Sequence, residues 1–298
     1  MRKPSKLCCK PLGVQMIEIP DPDSVGGVCD WVELTVLVRN RSLSKAAVAS
    51  AIEATAGEEA REAFIASVWR ELERRERLYS RSYFRVEGGV IEPGDDPKLP
   101  EYRACILLSL YGAQGSALRR AKLFERLSCE AIRRYLSGQA VVFGWPFDPD
   151  DTMGEGNGSQ IERKIRRLAE DLCERFSEPP PSRFNDRGLD VVGWIPFADK
   201  RSSQIVVLMQ CTIDQNWKDK IPVPFDAWCQ YIHWACDPVK AFAVPRVVDD
   251  LEWHEACVDK GILFDRVRIV NSLSDDARDT SLREELSAWV EERLADFD

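Results

Sequence analysis

Hydrophobic positions recurring every three or four residues mark a series of helices. In GEEAREAFIASVWRELERRERLY, Phe64, Ile65, Val68, Trp69 and Leu72 fall on one stripe with charges opposite, the pattern of an amphipathic helix. Ser44 precedes AAVASAIEA, where it can cap a helix ending near Gly57. A shorter helix is expected through ACILLSLYG. A long one is expected over residues 116–137, with Leu123, Phe124, Leu127, Ala131 and Tyr135 inward. Ser159-Gln-Ile-Glu162 is a capping box, and Ile161, Ile165, Leu168, Leu172 and Phe176 continue from it until three prolines at 179–181 stop the helix. A second capping box, Ser281-Leu-Arg-Glu284, opens the last helix, which turns Leu282, Leu286, Trp289 and Val290 inward.

Short apolar runs supply the strands. AVVFGWP follows the long helix, and GLDVVGWIPF (188–197) and QIVVLMQCT (204–212) are joined by the polar turn ADKRSS. Alternation places Val206, Leu208, Gln210 and Thr212 on one face of the second of these, and Ile205, Val207, Met209 and Cys211 on the other. A helix is expected from Phe225 (FDAWCQYIHWAC), and strands near Lys240 (KAFAVP) and Ile262 (ILFDRVRIV). DWVELTVLV reads as an apolar strand carrying Asp30 and Glu33. Residues 86–100 (VEGGVIEPGDDPKLP) and MGEGNGS read as loops. Together these predict an α/β domain over 115–298, a mixed sheet flanked by helices. A mostly helical region over 1–114 precedes it, with a regulatory or partner-binding role.

Composition narrows the classes. No apolar run is long enough to cross a bilayer, and MRKPSKLCCKPLG lacks the apolar stretch of a secretory signal. A cytoplasmic protein without membrane contact is expected, its ten dispersed cysteines reduced. The net charge of −9 argues against a protein that passively coats nucleic acid, but not against an enzyme whose site is built from carboxylates. Basic residues cluster at 119–134 and 163–167. A solvated helix face explains them first, and a face that tracks phosphates second.

Pairing the strands at 188–197 and 204–212 across their turn brings Asp190 and Gln210 to one end of the sheet. Oxygen ligands in apolar segments are costly unless something satisfies them, and a hard divalent cation would. Asp190 in RGLDVVGW followed by Gln210 in IVVLMQCT resembles the D…(E/Q)xK core of the PD-(D/E)xK nuclease superfamily, notably its Mrr-like and Holliday-junction-resolvase-like branches. Glu125 in LFERLSCEAIRRYL matches the glutamate of that fold's first helix. The resemblance covers roughly residues 116–270 and implies a restriction-endonuclease-like fold. It implies Mg²⁺ (or Mn²⁺) held by Asp190, Gln210, the backbone carbonyl of Cys211 and Glu125, and hydrolysis of nucleic acid, DNA rather than RNA. A homodimer, a regulatory protein partner and a role in bacterial antiviral defence or restriction go with it by analogy. The sequence departs from the pattern at Thr212, where the family's lysine stands. Lys220, and after it Lys218, are the candidates for a displaced lysine. If neither serves, the domain is an inactive interaction subunit.

Both histidines lie near cysteines, as Cys229-x3-His233-x2-Cys236 and His254-x2-Cys257. Helical spacing would put the first three on one face, so zinc is conceivable, but the surrounding tryptophans favour core packing.

Overall fold

The computed structural model describes residues 21–52, 58–95, 99–112, 117–144, 158–181, 186–273 and 280–295. The chain is mixed α/β. In order it forms α1 (Val25–Arg39), β1 (Leu43–Ser44), α2 (Lys45–Ala51), α3 (Glu58–Leu78), β2 (Phe84–Glu87), β3 (Val90–Pro93), α4 (Pro100–Tyr111) and α5 (Ala117–Leu136). Then come β4 (Gln139–Val142), α6 (Gln160–Asp171), β5 (Arg175–Phe176), β6 (Val191–Ile195), β7 (Ile205–Cys211), α7 (Phe225–Trp228) and β8 (Ile232–His233). The chain continues through β9 (Val239–Ala243), α8 (Asp250–Lys260), β10 (Ile262–Phe264), α9 (Arg266–Ser272) and α10 (Thr280–Leu294).

The central sheet has the order β10-β9-β7-β6-β4. β6 runs antiparallel to both β4 and β7, with Val191 opposite Met209, while β7, β9 and β10 are parallel. Alternation along β7 sorts its side chains as expected. Val207 and Met209 join the core beneath α5, with Phe124, Leu127 and Ile132. Val206 and Leu208 join the core beneath α6, with Ile165, Leu168 and Trp228. A Cβ on Gly193 would stand only 3.0–3.2 Å from Leu136 and Ile132, so the bare backbone there lets α5 lie close on β6.

Several expectations are corrected. Residues 30–38 form most of helix α1, not a strand. Val28 to Leu37 are all buried, so the segment has no polar face to betray a 3.6-residue period, and its length favours a helix. Residues 86–93 form part of the β2–β3 hairpin, whose turn residues Gly88 and Gly89 both take positive φ (58° and 76°), as a tight two-residue turn requires. The strand at Ile262 ends at Phe264, because Asp265 caps α9 by accepting from the Arg268 N–H. The helix at Phe225 stops after one turn, and His233 pairs in β8 with Arg175 of β5. Helix α6 ends before Phe176, which lies in β5, and Tyr135 is exposed. Ser44 and Ser159 do cap α2 and α6. The end near Gly57 and most of MGEGNGS lie outside the described residues.

One hydrophobic core runs from the first part of the chain into the second. It joins Val28, Trp31, Leu72 and Leu107 to Phe124, Ile269, Leu286 and Trp289. Across this junction lies a buried ionic cluster. Arg75 Nη1 stands 2.6 Å from both Asp30 and Glu33, and Arg266 Nη2 is 2.6 Å from Asp30. No helix of the described residues is long and apolar enough to cross a membrane.

Candidate functional site

Three strand ends meet at one edge of the sheet. The N–H groups of Phe143 and Gly144, just past β4, both donate to the Asp190 carbonyl (2.7 and 3.1 Å). The Asp190 N–H donates to the Met209 carbonyl at 3.0 Å, so its backbone is fixed between the two flanking strands. Alternation slips here: Leu189 and Val192 both enter the core beneath α6, while Val191 enters the core beneath α5. The Asp190 carboxylate accepts the Cys211 N–H at 2.7 Å and faces Glu125 of α5. A Cβ on Gly144 would lie 2.7 Å from Glu125 Oε2 and 2.9 Å from Asp190 Oδ1. The two carboxylates therefore flank a single bare α-carbon, and any larger residue would push one of them aside.

Burial and mutual repulsion set the charge state. Burial raises the Asp190 carboxyl well above the usual carboxylate range, and neighbouring Glu125 raises it further. Glu125 is pushed up to about 7, mainly by burial and also by Asp186, against the opposing pull of Lys122. Lys122 Nζ donates to Glu125 Oε2 and to the Gly144 carbonyl, both at 2.7 Å. Lys164, buried on α6 with its ammonium 5.4 Å from the Phe143 ring centre, also acts on Glu125. Burial lifts the Cys211 thiol as well, and both carboxylates add to the shift, so it stays a neutral thiol.

The sequence-predicted residues are distributed unevenly over this geometry. Glu125 and Asp190 come together. Gln210 reaches the same end of the sheet but meets different neighbours: a Cβ on Gly188 (φ +76°) would be 2.9 Å from its Nε2. Its Oε1 is buried without a hydrogen-bond partner. Cys211 contributes its N–H to Asp190. The displaced-lysine candidates need correction, because both end in ion pairs elsewhere. Lys218 lies 2.6 Å from Glu252, and Lys220 lies 2.6 Å from Asp214. Thr212, at the usual lysine position, accepts the Asp214 N–H at 3.2 Å and shapes the turn after β7. The residues that sequence reasoning missed here are Lys122 and Asp186. Lys122 stood in a basic cluster read as a solvated face, and its one signal was the i,i+3 spacing to Glu125.

A metal can be tested against these donors. Two carboxylates around a glycine, and partial exposure at Asp190, suit a hard cation that takes one or two carboxylates and keeps several waters. Among the described residues no three His, Cys, Asp or Glu side chains are grouped to hold a metal by themselves. A zinc site of Cys229, His233, Cys236, His254 and Cys257 loses its basis, since the first three do not share a helix. Compared with known proteins, the chain matches no family model, no curated protein and no solved structure.

Proposed function

We propose that this protein is a metal-dependent nuclease of the restriction-endonuclease-like kind, hydrolysing phosphodiester bonds in nucleic acid, DNA rather than RNA. The observation that carries the reading is the pair Glu125 and Asp190. Two carboxylates raised mainly by burial, Asp190 also by Glu125, enclose Gly144 at the ends of β4, β6 and β7. Such an arrangement is unfavourable alone and becomes favourable when a cation enters. The order helix α5, antiparallel β4–β6–β7, then parallel β9 supports the same fold-level likeness.

Asp190 and Glu125 would hold Mg²⁺ or Mn²⁺. When bound, the ion polarises a non-bridging phosphate oxygen and acidifies a water. The chain's own groups do the rest. The Cys211 N–H fixes the Asp190 carboxylate in one orientation. Gly144 keeps the space between the acids open.

The test is incubation with plasmid DNA and with RNA, in Mg²⁺ or Mn²⁺ and then in EDTA. Cleavage abolished by EDTA and by Asp190→Ala, with the variant still folded, is the expected result. Undiminished cleavage by Asp190→Ala would refute the assignment. A second reading, an inactive domain serving as an interaction subunit, is favoured by Thr212 and by the remote pairing of Lys218 and Lys220. It predicts nucleic-acid or protein binding with no cleavage under any metal.

A further inference from the structure

The proposed chemistry wants a cation that is not the metal, one able to reach the phosphate and offset the charge that develops there. Strand β7 offers none after Gln210. Resting on the nuclease reading, we infer that Lys122 of α5 supplies this ammonium, from a helix and not from the strand where the sequence pattern anticipates it.

Three observations lead there. Lys122 Nζ sits 2.7 Å from Glu125 Oε2, in direct contact with the candidate metal-holding group. It also donates to the Gly144 carbonyl, at the α-carbon that both acids flank. An ammonium carries three N–H donors and these two contacts use two, leaving one for a phosphate oxygen or a water. Lys122 is also only partly buried, so substrate can approach it. Lys164 acts on the same carboxylate, but its side chain is buried beneath α6 and its ammonium lies over the Phe143 ring.

The placement gives Lys122 two successive roles. Without metal it is the counter-ion of Glu125 and competes with any incoming cation for Oε2. With substrate bound it orients the attacking water and offsets charge on the phosphoryl oxygens. In that step a bond forms from the water oxygen to phosphorus and the bond from phosphorus to the leaving oxygen breaks. The proton lost by water passes to solvent, and the leaving oxygen takes one back. Lys122 contributes charge and hydrogen bonds, and nothing is oxidised or reduced.

The test separates this idea from the nuclease reading itself. Lys122→Met, Lys122→Arg, Lys218→Ala and Lys220→Ala are each assayed for plasmid cleavage and, without nucleic acid, titrated with Mn²⁺ alone while free Mn²⁺ is followed by electron paramagnetic resonance. Lys122→Met should lose about 100-fold or more in cleavage and bind Mn²⁺ several-fold more tightly than the parent, because the competing cation is gone. Lys122→Arg should recover part of the cleavage, and the Lys218 and Lys220 variants should stay near the parent in both assays. Cleavage by Lys122→Met near the parent level, with Asp190→Ala inactive, would overturn the Lys122 role and spare the nuclease reading. Unchanged or weaker Mn²⁺ binding by folded Lys122→Met would overturn it even if the parent cut nothing. If Lys122→Met fails to fold, the Lys122→Met/Glu125→Gln pair removes the unpaired acid. Set against Glu125→Gln alone, the double variant should bind Mn²⁺ more tightly; equal or weaker binding would overturn the Lys122 role.

Discussion

Two groups of charged side chains are buried in this molecule, and they are balanced differently. At the junction of α1, α3 and α9, the carboxylates Asp30, Glu33 and Glu71 meet the guanidiniums of Arg74, Arg75 and Arg266. Tyr102 and Ser109 hydroxyls donate to Glu33 and Asp30. Burial alone would raise Asp30, but Arg266 and Arg75 overcome it and hold its carboxyl down at about 2. At the end of the sheet, burial raises Glu125 and Asp190, Glu125 raises Asp190 further and Asp186 adds to both, while Lys122 pulls on both and Lys164 on Glu125 without overcoming the rise. In the first group arginines of the chain answer the acids, and the cluster serves stability. The second retains an electrostatic deficit, as a site does when it is built for a ligand that brings positive charge.

The largest expected effect breaks the first group. Arg266→Met should cost about 3–5 kcal/mol of stability, because it leaves the buried acids Asp30 and Glu33 with Arg75 alone of their two guanidiniums. Urea unfolding measures it, and a loss below about 1 kcal/mol would mean that the cluster is not the fastener described.

The next effect is a difference in sign with pH. Glu125 has a folded-state pKa above its unfolded value of 4.5, so the native state binds more protons there. Between roughly pH 4.5 and 7 its contribution to stability should fall as pH rises. Asp30 is depressed from 3.8 to about 2, so its contribution is full above 3.8 and is lost as pH falls towards 2. Metal-free protein should therefore melt at a higher temperature at pH 5 than at pH 7.5, and Glu125→Gln should flatten that difference. An unchanged slope in Glu125→Gln would remove the electrostatic contrast between the groups.

The smallest effect sharpens the contrast at one atom. Gly144→Ala puts a methyl group against both carboxylates, and it should weaken cleavage and Mn²⁺ binding by about tenfold, ~1.4 kcal/mol, with little change in melting temperature. Parent-level Mn²⁺ binding would show that the gap above Gly144 is not where the ion goes.

How far the sequence foretold this depends on the kind of signal each part carries. Strands β6 and β7, their pairing and the inward stripes of α5 and α10 follow periods that a single sequence displays. Glu125 and Asp190 were legible because strand ends and a preceding helix fix their order. Helix α1 was not, since burial on all sides erases amphipathic periodicity. Lys218 and Lys220 looked well placed by distance along the chain, yet Glu252 and Asp214 claim them; the Lys218 pairing spans 34 residues and leaves no local mark, whereas that of Lys220 is local. Lys122 was hidden for the opposite reason: on an amphipathic helix rich in arginine, a basic residue attracts no notice.

The bond between Arg266 and Asp30 joins positions 236 apart in the chain. During synthesis α1 and α3 leave the ribosome long before α9 exists, with Arg75 as the only arginine of that pair to hand. The acids of α1 therefore have one arginine to answer them until α9 is made, and the amino-terminal helices receive the rest of their charge balance only from a much later stretch of sequence.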